Sequence, residues 1–328
     1  MNFSDPGGWP DADALRSARL RIDGRIVRTP VLTSRTLDEK CGCRLFFKAE
    51  NLQRVGAFKA RGAANAVLSL PDSDAEAGVV THSSGNHGAA LAWAAASRGV
   101  PATIVMPETA SRAKVENVRR YGGTIAFCRP TLEDREAVAA RILTEAGGVL
   151  VHPFDDWRVI EGQATAAMEM LDEIPDLDAI VVPIGGGGLI SGTCLAVGHA
   201  APGVRVYGVE PENAAEAAAF INAGQRIEGY RIGPGIADGL MATLSPRTFA
   251  VIRERVEGIV TVSDAETIAA MRLVWMVLKS LVEPSAAVVV AALLEGRIPL
   301  QGQRVGVILS GGNVDLDRLP WPTQERVS

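Results

Sequence analysis

The chain has little with which to cross a membrane, bind a nucleic acid or staple itself covalently. Its longest wholly apolar run, Ala286–Leu294, has nine residues, whereas a helix that spans a bilayer needs about 20. It carries 33 basic against 38 acidic residues, a formal net charge of −5. No block of like charge stands out, so a nucleic-acid surface and a polybasic membrane anchor are excluded. The opening stretch Met1–Asp13 lacks the basic n-region and apolar core of a secretory signal. A cytoplasmic protein with neither nucleic-acid nor membrane partners is expected. Cysteines are few: Cys41, Cys43, Cys128 and Cys194. The Cys41-Gly42-Cys43 spacing matches neither a zinc knuckle nor a C-x-x-C redox pair, so reduced, structural thiols are expected. His82, His87, His152 and His199 show no H-x-x-x-H metal spacing.

What the chain does have is alternation. Short β-branched runs (Arg44–Lys48, Gly78–Thr81, Ala102–Met106, Thr124–Phe127, Ala179–Pro183, Val204–Glu210, Arg304–Ser310) read as strands. Between them lie longer amphipathic or alanine-rich stretches that read as helices: Asp11–Ile22, Lys59–Leu68, Gly88–Arg98, Ser111–Tyr121, Thr131–Thr144, Ile160–Leu171, Leu189–His199, Asp264–Leu281 and Ser285–Leu294. Such alternation predicts an α/β protein with parallel-rich sheets flanked by helices. A chain of 328 residues exceeds what one core usually serves, so two domains are expected. Residues 76–154 read as a small β-α-β-α unit inserted into a larger domain made of 1–75 and 155–328.

Four loops carry chemistry. The first follows an apolar run: Gly185-Gly186-Gly187-Gly188 opens a helix. Four glycines let a ligand approach the main chain, and the N–H groups of a helix start suit a phosphate. The other reading is a flexible strand-to-helix turn. The loop lacks the Gly-Lys-Ser/Thr ending of a P-loop and the G-x-G-x-x-G spacing of a dinucleotide fold. The second is Gly56-Ala57-Phe58-Lys59-Ala60-Arg61-Gly62, where Lys59 falls at a helix entrance. A dry loop and the positive helix end both disfavour an ammonium and favour a nucleophilic amine. Taken alone, Lys59 reads as an ordinary exposed lysine, the fate of most lysines. The third, Ser83-Ser84-Gly85-Asn86-His87-Gly88, offers hydroxyls, an amide and free N–H groups for a carboxylate, with Asn86 as a natural N-cap. The fourth, Ser310-Gly311-Gly312-Asn313-Val314-Asp315, puts a hydroxyl at a strand tip, or is a plain Gly-Gly turn.

In this order the four loops closely resemble fold-type-II pyridoxal-phosphate enzymes, the family of serine/threonine dehydratases and serine racemases, with tryptophan synthase β-like architecture. The resemblance runs from about Arg28-Thr29-Pro30 to Pro320-Trp321. It implies pyridoxal 5'-phosphate as cofactor, with Lys59 forming the internal Schiff base and then serving as the base at Cα. Phe58 would pack against the ring and Asn86 would bond its 3-oxygen. Gly185, Gly186, Gly187 and Gly188 would hold the phosphate, and Ser310 would face the pyridine nitrogen with Glu283 nearby. Ser83, Ser84, Asn86 and His87 would receive the substrate carboxylate. The implied reaction is loss of water and then ammonia from a β-hydroxy amino acid, giving a 2-oxo acid. Ser84 opposite the lysine also implies an alternative, an amino-acid racemase with Lys59 and Ser84 as opposed bases, although Ala242 stands where racemases offer a serine.

Arg135, on the helix that Thr131 caps, resembles the arginine that pairs with a second carboxylate, which points to 3-hydroxyaspartate alongside serine and threonine. Glu210, the Ala214 carbonyl and Glu216 resemble a divalent-cation site of this subgroup, for Mg2+ or for Mn2+ or Ca2+, with glutamate at 216 where aspartate is usual. The other reading of those carboxylates is an acidic helix start. Ala89 and Phe154 replace the polar residues that serve nucleotide activation in racemase relatives. Seven residues follow Trp321, so no C-terminal effector domain is expected and a catabolic role is. The family also implies a homodimer.

Overall fold

The alternation resolves into two sheets. The computed structural model describes residues 8–321; the rest of the opening stretch and the positions after Trp321 lie outside the described residues. Ten strands are present: β1 Val31–Leu32, β2 Arg44–Lys48, β3 Val79–His82, β4 Ala102–Pro107, β5 Thr124–Cys128, β6 Val149–Leu150, β7 Ala179–Pro183, β8 Arg205–Pro211, β9 Gly258–Val262 and β10 Arg304–Ile308. One sheet has six strands in the order β1-β2-β10-β7-β8-β9, the other four in the order β5-β4-β3-β6. Every pairing is parallel except β1 with β2. The expected α/β class is what the chain forms.

The central strand β7 is apolar throughout and wholly buried, as a strand covered on both faces should be. Helix Pro284–Leu294, also almost entirely apolar, packs across β7, β8, β9 and β10 on one side, while helix Gly188–Ala200 packs on β7 and β8. In the smaller sheet, helices Asn86–Arg98 and Leu132–Ala146 both lie against β3 and β4. Two corrections concern element ends. The run Arg304–Ser310 leaves the strand at Ile308, because the Ser310 carbonyl turns to accept the Phe58 N–H at 3.0 Å. The helix expected over Asp264–Leu281 stops at Val277. There the Asn51 amide donates to Ser280 Oγ at 2.7 Å and to the Leu281 carbonyl at 3.0 Å, and the chain passes through Lys279 at φ 54°.

Helix Lys59–Leu68 packs on helices Asn86–Arg98 and Trp157–Glu173. A Cβ on Gly162 would stand 2.6 Å from Gly62 Cα, and one on Gly62 would stand 2.6 Å from the Val159 carbonyl. The two helices therefore touch backbone to backbone, which only glycine permits. Beneath them lies a buried ionic knot. Arg61 donates from Nε and Nη2 to Glu50 at 2.7 and 2.8 Å, and from Nη1 and Nη2 to Glu169 at 2.7 and 2.8 Å. Lys48 Nζ donates to Glu169 at 2.6 Å and to the Thr29 carbonyl at 2.7 Å, and Thr29 Oγ1 donates to Glu50 at 2.5 Å. Two cations balance two anions, with the remaining acceptors filled, which is the condition for such a cluster to be tolerated.

Candidate active site

The loops after β2, β3, β6, β7 and β10 all leave the carboxyl ends of parallel strands, where open α/β sheets bind their ligands. They converge on one cavity of about 880 Å³. Lys59, Phe58, Ser83, Ser84, Asn86, His87, Arg135, Gly185, Gly186, Gly187, Gly188, Glu283 and Ser310 all line it. Of these residues Phe58 and Ser310 are the most distant in sequence, 252 positions apart.

Helix ends explain why this cavity suits an anion. Among the described residues, seven helices are capped by a side chain of their own N-cap residue, at Asp11, Ser34, Ser111, Thr131, Asp156, Ser245 and Ser263. Four helices whose starts border the cavity, at Lys59, Asn86, Gly188 and Pro284, have no such cap. At Asn86 and Gly188 this leaves first-turn N–H groups and a helix dipole for a ligand. Here one expectation is overturned. Asn86 is not the N-cap, which is Gly85; Asn86 is the first helical residue. Its amide is committed to tertiary partners instead, donating to Glu283 Oε1 at 2.9 Å and Oε2 at 3.2 Å.

The glycine loop is shaped by its neighbours. Gly187 sits at φ 85°, and a Cβ there would meet Thr248 Cβ at 2.7 Å and Leu244 Cδ2 at 2.8 Å. A Cβ on Gly186 would overlap the Phe154 ring. Phe154 belongs to a strap, His152–Asp156, that follows β6. His152 Nδ1 accepts the Asp155 N–H at 2.9 Å, and Arg247 Nη1 holds both the carbonyl and the carboxylate of Asp155 at 2.7 Å. The strap also receives the lysine: Lys59 Nζ donates to the Pro153 carbonyl at 2.8 Å. Burial without a carboxylate partner pulls the Lys59 ammonium down to about 8. Burial likewise lowers His82, lowers His152 to about 4 and lowers His87 well below its ordinary value, so the imidazoles around the amine are neutral at pH 7. The ring of His152 lies edge-on between His82 and Phe154, with centroids 5.1 and 4.7 Å away.

Glu283 is buried beneath the cavity, and burial pushes its carboxyl up to about 7, against the pull of the Asn86 donor. Ser310 is buried beside it, and a Cβ on Gly311 would stand 2.8 Å from Glu283 Oε1. On the far wall, Arg135 Nε is buried with no hydrogen-bond partner among the described residues. Lys114 reaches across to Asp238 at 2.5 Å. Sequence reasoning gave no role to Lys114, Asp238, Arg247 or Asn313; each acts through a partner far along the chain, which no local spacing reveals.

Glu210, near the end of β8, and Ala214 and Glu216, just past it, lie apart from the cavity lining. Glu210 accepts the N–H groups of Ala217 at 2.8 Å and Ala218 at 2.9 Å, and Glu216 accepts that of Leu244 at 2.9 and 3.0 Å. Burial raises both carboxyls, to about 8 and about 7, and Glu216 adds to the rise at Glu210. Among the described residues, no group of three or more histidine, cysteine or acidic side chains is arranged to hold a metal ion.

The bare glycine cradle, the uncapped helix starts and a poised buried amine fit a ligand with a phosphate at one end and an aldehyde at the other. Comparison with known proteins agrees. The profile of the family described as "Pyridoxal-phosphate dependent enzyme" matches residues 22–311. A β-hydroxyaspartate dehydratase of Paracoccus denitrificans (strain Pd 1222) is 48% identical over 312 residues, covering 95% of this chain and 99% of the relative. A serine racemase of Arabidopsis thaliana is 48% identical over 314 residues, covering 94% and 95%. Among solved structures, maize serine racemase superposes with a TM-score of 0.92 at 43% identity, covering 94% of this chain and 95% of that one.

Proposed function

From a chain that belongs to the family of pyridoxal-phosphate-dependent enzymes, we propose a dehydratase of the ammonia-lyase kind. It takes 3-hydroxyaspartate, and beside it serine or threonine, to a 2-oxo acid and ammonia. The observation that carries the choice of substrate is Arg135: a guanidinium whose buried Nε has no partner lines the same cavity as Lys59. A second substrate carboxylate is what such a group recognises. The relative named for β-hydroxyaspartate supports the same reading.

Pyridoxal phosphate, when bound, supplies the aldehyde that fixes the amino acid and the ring that takes up electrons from Cα. The chain supplies the rest. Gly185 to Gly188 cradle the phosphate with main-chain N–H groups. Phe58, Asn86, Ser310 and Glu283, which line the same cavity, would hold the ring, Asn86 at its 3-oxygen and Ser310 at its nitrogen. Ser83, Ser84, Asn86 and His87 present the start of helix Asn86–Arg98 to the substrate carboxylate. Lys59, with its pKa drawn down to about 8, removes the Cα proton. Inversion at Cα with Ser84 as the opposed base is the second reading, favoured by Ser84 lining the cavity. Ala242, on the same lining, lacks the hydroxyl expected of a racemase. Residues 76–154 serve as the small domain and 1–75 with 155–328 as the large one, in a homodimer.

The test is a substrate panel. Arg135→Ala is expected to lower kcat/KM for 3-hydroxyaspartate by about 10- to 100-fold, the loss of a charge-assisted pair, and to leave serine nearly unchanged. An equal fall on both substrates overturns the role of Arg135. No ammonia from hydroxyaspartate, serine or threonine overturns the reaction.

We also assign the cation of this reading, Mg2+ or a similar ion, to Glu210, Glu216 and the Ala214 carbonyl. Two buried carboxylates that have no cationic side chain at salt-bridge distance among the described residues fit a hard divalent ion that keeps several waters. Chelation is expected to lower the thermal midpoint and Mg2+ to restore it, as mass action requires of a ligand of the folded state. A midpoint indifferent to both removes the site.

A further inference from the structure

Asn313 lies outside every role assigned so far, yet three hydrogen bonds place it between the lysine loop and Asn86. Its side-chain amide donates to the Val55 carbonyl at 2.8 Å and to Asn86 Oδ1 at 2.8 Å, and its backbone N–H donates to Glu283 Oε2 at 3.0 Å. The direction of each bond is forced. A carbonyl only accepts, so the NH2 of Asn313 must face Val55. That same NH2 then meets Asn86, which must turn its oxygen towards it. At the other end the Glu283 carboxylate already accepts a backbone N–H, so Asn86 turns its NH2 to Glu283. The two carboxylate oxygens lie close together as seen from Asn86 Nδ2, whereas the two hydrogens on a planar nitrogen diverge widely. One N–H of Asn86 therefore serves Glu283, and the other has no partner among the described residues, on a side chain that lines the cavity.

The surroundings leave the arrangement little freedom. Val55 is held at φ 55°, a conformation that a β-branched residue adopts only under constraint, and its carbonyl is the one Asn313 grips. Gly56 sits at φ 71°, and a Cβ there would stand 2.6 Å from Asn313 Oδ1. Gly56 also accepts the Gly312 N–H at 2.9 Å. The loop that delivers Lys59 and the loop that carries Asn313 are thus interlocked.

We propose that Asn313 and Glu283 are positioning residues that fix the Asn86 amide as a hydrogen-bond donor, never an acceptor, towards the ring oxygen of the cofactor. The inference rests on the reading that pyridoxal phosphate occupies this cavity with its 3-oxygen at Asn86. A donor there stabilises the oxyanion form of the ring, so its orientation sets the protonation of the bound cofactor as well as its affinity. A carboxylate at 313 has the same shape and no hydrogens to give. It leaves Asn86 Oδ1 unpaired and lets the amide turn.

The experiment is a pH titration of the visible absorption band of the holoenzyme, with cofactor affinity measured by equilibrium dialysis. Asn313→Asp is expected to move the titration midpoint upward and to weaken cofactor binding roughly tenfold, the loss of one hydrogen bond to a charged group. Glu283→Gln, which can offer Asn86 a donor in place of an acceptor, is expected to move the midpoint the same way. The doubly substituted protein should show less than the sum, because both act through one amide. A residue that only held the fold would lower the thermal midpoint and leave the band where it was. An unmoved band in both variants, with cofactor bound, overturns the inference alone. A parent protein with no visible band overturns the cofactor reading and the inference with it.

Discussion

Lys59→Ala is expected to lower the release of ammonia from hydroxyaspartate by at least about a thousandfold, since it removes both the cofactor anchor and the general base. Borohydride reduction of the parent protein should fix the cofactor on the peptide that contains Lys59. Label on another lysine, or turnover that survives the substitution, would refute the assignment. The pH dependence has a definite sign. The amine attacks only when neutral, so cofactor capture by the parent chain should slow as the pH falls below about 8, the value to which burial draws this lysine. The same shift bears on stability. Folded Lys59 gives up its proton more readily than the unfolded chain, so its burial opposes folding below about pH 8. That penalty lifts as the pH rises towards the ordinary lysine value of 10.5. The alanine variant without cofactor should therefore melt no lower than the cofactor-free parent at neutral pH. Lost activity with retained stability is the signature that separates a chemical role from a structural one.

Arg61→Met should behave in the opposite way, unfolding the protein far more readily while leaving every cavity-lining residue in place. Arg61 is fully buried and is the one group that contacts both Glu50 and Glu169 in the knot. Without it, two buried carboxylates share Lys48, which touches only Glu169 directly. Leaving such a charge uncompensated costs about 3–5 kcal/mol, a large part of the 5–15 kcal/mol typical of a folded domain. Urea denaturation followed by circular dichroism would read the loss, and a change under about 1 kcal/mol would show the knot to be dispensable. The exposed pair Arg112–Glu116, at 2.6 Å, supplies the contrast. Its removal should change little, because water screens it and two long side chains lose freedom in making it. Arg61 stands two positions from Lys59, so a loosened knot should also raise the rate at which cofactor escapes.

The sequence makes β2, β7 and helix Lys59–Leu68 legible to the residue, because continuous apolar runs and a glycine-bounded loop mark their ends. It leaves β1 and β6 unseen, since two residues have no period. Helix Pro246–Arg255 was open to detection and missed: Ser245 with Pro246 behind it is a helix start in miniature, and the structure completes it as a capping box. The loops of the site were legible as types of loop. What they do to one another was not. Asn86 looks like a cap because caps are local, yet its amide is spent on a carboxylate 197 positions away. Asn313 looks like the end of a Gly-Gly turn until Val55 and Asn86 appear beside it. Side chains that act through distant partners leave no spacing to read.

The backbone contact between Gly62 and Gly162 also bears on how this protein could acquire new substrates. Both partners at that contact are glycine and any Cβ there would strike backbone, so this side of the Lys59 helix admits no added side chain. The opposite wall differs. Ala113, Lys114, Leu132 and Arg135 face the cavity from helices that are themselves exposed or half-buried. Variation there alters what the cavity admits at small cost to the core. Room for substitution therefore lies on the exposed helices, and the glycine contact leaves none beside the Lys59 helix.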